Sequence, residues 1–170
     1  MDELAIRDAT PDDAEAIAAI YGHHVLHGTA SYDLVPPDAG EIRAKIERIA
    51  AVGWPFLVAE RGGVVVGYAY ATQFRDRDAY RMTAEDSIYV HPDSMGQGVG
   101  GALLDTLIDR SVAFGFRTLI AVIGGAEPGS IAIHAKHGFR EVGRLNAVGW
   151  KHGRWLDSVY MQLEMRPAAG

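Results

Sequence analysis

SIYVHPDSMGQGVGGALL, residues 87–104, decides how the rest of the chain is read. An apolar run of strand character meets a turn dense in glycine, and the turn opens into a run of helical character. Gly96, Gly98 and Gly101 formally satisfy G-x-G-x-x-G, the dinucleotide fingerprint, but the context does not fit. Residues 91–95 separate the strand from the glycines, and the next strand, RTLIAVIGG (117–125), ends without an acid to hold a ribose. A Gly-Lys-Ser/Thr phosphate loop is excluded because the turn has no lysine. What survives is the physics common to such turns. Successive N–H groups lie free of side chains, and a helix follows with its positive dipole end, so the turn suits an anion of pyrophosphate size. The bland alternative is a flexible turn with no ligand.

Working outward, strands and helices alternate. Leu4–Ala9 reads as a strand, and Thr10 with Pro11 opens a helix striped by Ala14, Ile17, Ala18, Tyr21 and Val25. Asp38 and Glu41 form a capping-box pattern before Ile42, Ile46 and Ile49, with a stop at Gly53. Phe56–Glu60 and Val64–Ala71 read as a hairpin about Gly62–Gly63, Thr72–Met82 as a loop, and Thr83–Val90 as a strand. Beyond the glycine turn come a helix from Val99 to Phe114, a strand 117–123, a short helix 130–137, and strands 139–150 and 156–165. Hairpins together with crossover helices predict an α/β (α+β) domain with a mixed sheet.

Length and charge bound the function. The 170 residues, 48% hydrophobic, suffice for one domain spanning 1–170 with its core at about 4–165. A net charge of −6 argues against nucleic acid as a partner, and no apolar run is long enough to cross a membrane. There is no cysteine, which excludes disulfides and cysteine chemistry. The acidic stretch MDELAIRDAT does not read as a secretory leader, so the expected location is cytoplasmic. His23 and His27 share a helical face, but no third ligand accompanies them, and no metal is expected.

The strand, the turn ending G-x-G and the helix together resemble the acetyl-CoA site of the GNAT superfamily of N-acetyltransferases. The family's Arg/Gln-x-x-Gly-x-Gly/Ala turn corresponds to Met95-Gly96-Gln97-Gly98-Val99-Gly100, where Met95 departs from the usual first residue. The resemblance implies a GNAT fold with a mostly antiparallel central sheet flanked by helices. It further implies that Ile88, Tyr89 and Val90 pair with the pantetheine arm. It makes SIAIHAKHGF (130–139) the second cofactor segment, with Ser130 in contact and Glu127 standing where the family usually has asparagine. AEDSIYV (84–90), the loop from Arg75 to Arg81, and KHGRWLDSVYMQLEM (151–165) narrow the resemblance to the phosphinothricin and methionine sulfoximine acetyltransferase branch. That branch implies a homodimer and a small amino-acid-like amine as substrate. Gly153, Trp155 and Asp157 also read as an ordinary hairpin turn with an aromatic anchor.

Acetyl transfer to an amine needs a base for the ammonium, donors for the oxyanion and a proton for the leaving thiolate. By the resemblance Glu85 is the candidate base, Val90 or a neighbour donates its N–H to the oxyanion, and His134 is acid or base. Asp86 competes with Glu85, but alternation puts it on the opposite face. Arg75 and Arg81 are guanidinium forks suited to carboxylate, phosphinate or sulfoximine oxygens, and Tyr32 lies in the loop the branch closes over substrate. Another amine, such as a polyamine or peptide N-terminus, and a non-catalytic acetyl-CoA sensor remain as alternatives.

Overall fold

Alternation in one strand sets the layering. In Phe56–Arg61 (β2), Leu57 and Ala59 face one side of the sheet while Phe56 and Val58 face the other, and all four are buried. The computed structural model describes residues 2–165. Its elements are Leu4–Asp8 (β1), Ala14–His27 (α1), Ala39–Val52 (α2), β2, Val64–Gln73 (β3), Thr83–Val90 (β4), Val99–Phe114 (α3), Thr118–Gly124 (β5), Pro128–Lys136 (α4), Arg140–Lys151 (β6) and Arg154–Glu164 (β7).

The seven strands form one sheet in the order β1-β2-β3-β4-β5-β7-β6. Only β4 and β5 run parallel, as a strand–helix–strand crossover requires, and the other neighbours are antiparallel. Ile17, Ile20, Ile42, Ile46 and Ile49 of α1 and α2 close one face over Phe56, Val58 and Tyr68. Leu103, Leu104 and Leu107 of α3 close the other over Leu57, Ala69, Ala84 and Leu119. The architecture is the mixed sheet flanked by helices that the sequence predicts.

Boundaries differ at a few places. Thr72 and Gln73, read as loop, extend β3 because they pair with Glu85 and Ala84. Pro11–Asp13 form a 3-10 turn before α1, where the Asp13 carboxylate accepts from the Thr10 N–H at 2.8 Å and binds Arg7 at 2.9 Å. At Gly67 the helix α3 lies directly on β3, and a Cβ there would stand 3.0 Å from Val99 and 3.1 Å from Leu103. That close approach fixes the start of α3, and with it the glycine turn, against the end of β4.

Candidate active site

Strands β4 and β5 pair only over Thr83–Asp86 and Thr118–Ala121. Beyond that point β5 continues against β7, while β4 is left with β3 alone, so the two parallel strands splay. Odd-numbered residues of β4 turn their backbone to β3, as the bonds from the Phe74 N–H to Thr83 O (2.9 Å) and from the His91 N–H to Val66 O (2.8 Å) establish. Even-numbered residues therefore turn theirs into the splay. Ile88 and Val90 offer N–H groups to the cleft, as a ligand with an extended amide chain requires. Tyr89, expected among the pairing residues, does not: its backbone faces β3, and its ring packs at 5.0 Å from Tyr21 and 5.5 Å from His24.

The cleft ends at the glycine turn. Gly96 (φ +74°) and Gly98 (φ +82°) hold left-handed conformations, and a Cβ on either would touch nothing within 4 Å. The glycines are there for backbone shape, not for close packing. Gly98 is the N-cap of α3 with no side-chain cap, so the first amides of that helix, including Val99 and Gly100, stay unclaimed. Met95 is 58% exposed. The Gln97 side chain braces the turn, accepting from Arg61 at 2.7 Å and donating to Asp93 O at 3.0 Å. Arg61, 36 residues away in sequence, thereby sets a positive charge against the turn. Gly100 lets α4 close in, since its Cβ would stand 2.8 Å from Ile133. Free strand amides leading to an uncapped, glycine-shaped helix start match an acyl-pantetheine with phosphates at its far end.

Glu127 and Ser130 occupy the second segment, where Glu127 serves as the cap of a helix. The Glu127 carboxylate accepts from the N–H of Gly129 (3.1 Å) and of Ser130 (2.8 Å), capping α4. Those amides are therefore committed within the chain. Ser130 still lines the cleft, together with Asp86, Ser87, Ile88 and His134, around a cavity of about 50 Å³ at its floor.

Glu85 and His134 lie on opposite faces of the sheet. Glu85 is half-buried on the α1/α2 side and has no hydrogen-bond partner among the described residues. Burial raises its pKa, the nearby Arg75 lowers it, and the Asp86 charge raises it, leaving it above the ordinary carboxylate value. His134 lies on the α3/α4 side, and its partner is Asp86, at 2.7 Å. Asp86 lies on the face opposite Glu85, as strand alternation predicts; its bond to a histidine 48 residues away is a tertiary fact that spacing does not reveal.

Of the substrate-side residues, Arg75 lies close enough to Glu85 to lower its pKa. Arg75 stacks 4.0 Å over the Phe74 ring and bonds Phe74 O at 2.8 Å, and Arg81 bonds Asp78 O at 3.2 Å. Neither pairs with a carboxylate among the described residues, so both keep donors free. Tyr32 has a structural role in this structure. Its hydroxyl donates to Asp157 O (2.8 Å) and accepts from Gly125 N–H (3.2 Å) and Ser158 Oγ (2.9 Å), which exhausts its capacity. The ring lies where a Cβ on Gly149 would be, 2.7 Å away, so Tyr32 clamps the 28–38 loop to the sheet.

Three further residues complete the site. His24 donates to Val90 O at 2.7 Å; burial keeps its pKa low, so the neutral ring fixes the end of β4. Buried Lys151 holds the Tyr32 loop through Ser31 O at 2.7 Å. Asp157 accepts from Ala147 N–H at 2.9 Å and Arg144 at 3.1 Å, which shapes the irregular part of β6. The 151–157 motif is thus a hairpin turn, with His152 (φ +53°) and Gly153 (φ +72°) at its tip and Trp155 against Trp150. No group of three metal-ligating side chains occurs among the described residues.

Residues 24–139 match the acetyltransferase (GNAT) family. The chain is 51% identical, over 92% of its length and 80% of the relative's, to a phosphinothricin N-acetyltransferase of Alcaligenes faecalis. It is 40% identical to an L-methionine sulfoximine/L-methionine sulfone acetyltransferase of Salmonella typhimurium, over 95% of each chain. Its fold superposes with a TM-score of 0.93 on a GNAT superfamily phosphinothricin acetyltransferase from Sinorhizobium meliloti in complex with acetyl-CoA. That pair is 47% identical, over 95% of this chain and 88% of the other.

Proposed function

This chain belongs to the GNAT acetyltransferase family, and from that premise we propose that it moves acetyl from acetyl-CoA to the amine of a small amino acid or analogue of the methionine sulfoximine or phosphinothricin type. The observation that carries the reading is the splayed β4 edge leading to the Gly96–Gly98 turn, with the half-buried Glu85 carboxylate in the field of Arg75. Relatives named for those two substrates, at 40–51% identity, support the choice of amine.

Acetyl-CoA supplies the activated thioester. Ile88 holds its amide arm from the main chain, and the 96–101 amides with Arg61 meet the phosphates. Arg75 and Arg81 orient the acidic end of the amino acid, so that its amine faces Glu85. The Glu85 carboxylate, directly or through one water, takes the proton that an ammonium near pKa 10 must lose before it attacks. The Val90 N–H is the donor offered to the carbonyl oxygen as it gains charge. On this reading the enzyme works in the cytoplasm.

Acetyl-CoA binding by calorimetry tests the cofactor half. Gly98→Val forces a β-branched residue into a left-handed conformation, at a cost of roughly 1–2 kcal/mol, and crowds the anion seat. Affinity is expected to fall at least about tenfold with the fold retained. Unchanged affinity would remove the turn from the site.

A second copy of the chain is the protein partner. β6 is an edge strand of 12 residues, and Val142, Leu145, Val148, Trp150 and Trp155 are exposed on the β6–β7 ribbon. A long apolar edge is a liability unless covered, and a homodimer covers it. Sedimentation should give twice the 18.4 kDa chain mass. Trp150→Glu with Trp155→Glu should return the monomer, and a wild-type monomer would contradict the assignment.

A further inference from the structure

We propose that Asp86 is a positioning residue that locks His134 as an imidazolium on the cofactor side of β4, so that His134 serves the leaving thiolate and Glu85 alone serves the amine. The proposal rests on the acetyl-transfer reading above and divides that reaction between the two faces of one strand.

Both ring nitrogens of His134 face acceptors. Nδ1 lies 2.7 Å from Ser130 O, a carbonyl that can only accept, so Nδ1 carries a proton. Nε2 lies 2.7 Å from Asp86 Oδ2. With a carboxylate there, Nε2 carries the second proton and the ring is cationic. The pair is out of solvent, with His134 4% and Asp86 7% exposed, and the Phe139 ring stands edge-on at 4.8 Å. A buried imidazolium needs its counter-charge, and among the described residues Asp86 is the ionisable group acting on it. Burial alone lowers the histidine's pKa, but the charge and hydrogen bond of Asp86 outweigh it and leave the pKa raised. A ring already carrying both protons cannot act as a base.

The location suits a leaving group. Asp86 is the last β4 residue paired with β5, at the vertex of the splay, and both it and His134 line the floor of the cleft. Asp86 Oδ1 has no partner and can take one further donor there, a ligand amide or a water. In the step, the C–S bond breaks and its electron pair stays on sulfur, which meets the fixed positive charge of the imidazolium. Both ring N–H groups stay on Ser130 O and Asp86, and the thiolate takes its proton from solvent. Glu85 independently removes the amine's protons, so the overall reaction releases one proton.

The test uses the full-length protein and needs no turnover. Nitrogen-15 NMR of labelled histidine, assigned with His134→Gln, follows the ring against pH in the wild type and in Asp86→Asn. In the wild type His134 should stay doubly protonated to pH values above the ordinary histidine value of about 6.5. In Asp86→Asn its titration should move down, and the alkaline limb of kcat should move down with it. Asp86→Glu should restore both in part. Should Asp86→Asn not fold, Asp86→Ser carries the same measurement. A His134 that is neutral at pH 6.5 in the wild type, or that titrates identically without Asp86, would overturn the proposal. Because the NMR reads the resting protein, absence of activity on every amine would count against the acetyl-transfer reading and leave the pair's protonation measured.

Discussion

Glu85→Gln is expected to lower kcat/KM for the amine by about 10²- to 10⁴-fold, the range that a positioned general base contributes. The substitution keeps the shape and removes only the ability to take a proton. It should leave acetyl-CoA affinity unchanged, because Glu85 faces α1 and α2 while the splayed edge and the turn hold the cofactor. The pH profile adds a second signature. Burial raises the Glu85 pKa despite Arg75, so the base becomes active only above the ordinary carboxylate range. Activity should therefore be lost as pH falls through that raised value, and the acid limb should vanish in the glutamine variant. Full activity in Glu85→Gln would transfer the base role to water.

Substitution of both arginines produces a different kinetic pattern. Arg75→Ala with Arg81→Ala should raise KM for methionine sulfoximine by about 10²-fold or more, since each hydrogen bond to a charged group contributes about 1.5–3 kcal/mol. The amine lies beyond the guanidinium contacts, so kcat should change less than KM, the mark of binding made equally in ground and transition states. KM for acetyl-CoA should hold. Arg75 also acts on Glu85, so its loss should shift the acid limb of the pH profile upward. Normal turnover by the double variant would place the substrate elsewhere.

Much of this was legible along the chain because it is local. Period-two runs and helix caps give the elements, and the 87–104 stretch gives strand, turn and helix in one reading. The acidic pair Glu85–Asp86 even gives its division between faces, since neighbours in a strand point opposite ways. What was not legible is where the opposite face leads. Asp86 meets His134 only because α4 packs over the vertex of the splay, and His24 fixes Val90 only because α1 crosses the end of β4. Tyr32 and Glu127 look alike as ligand contacts and as scaffold until their partners are counted. The Tyr32 hydroxyl is saturated by the protein itself, and both Glu127 oxygens cap α4. Arg61 comes from a hairpin that sequence spacing does not connect to the turn it braces.

The most direct test of acetyl transfer to an acidic amino-acid analogue is the initial rate of thiol release from acetyl-CoA, read with a coloured thiol reagent over a panel of amines. The protein has no cysteine and adds no background. The panel pairs methionine sulfoximine and phosphinothricin with ordinary amino acids and spermidine. Release led by the sulfoximine and phosphinate compounds, and absent without an amine, is the predicted result. Release with spermidine alone, or no release from any of them by protein that binds acetyl-CoA, would contradict it.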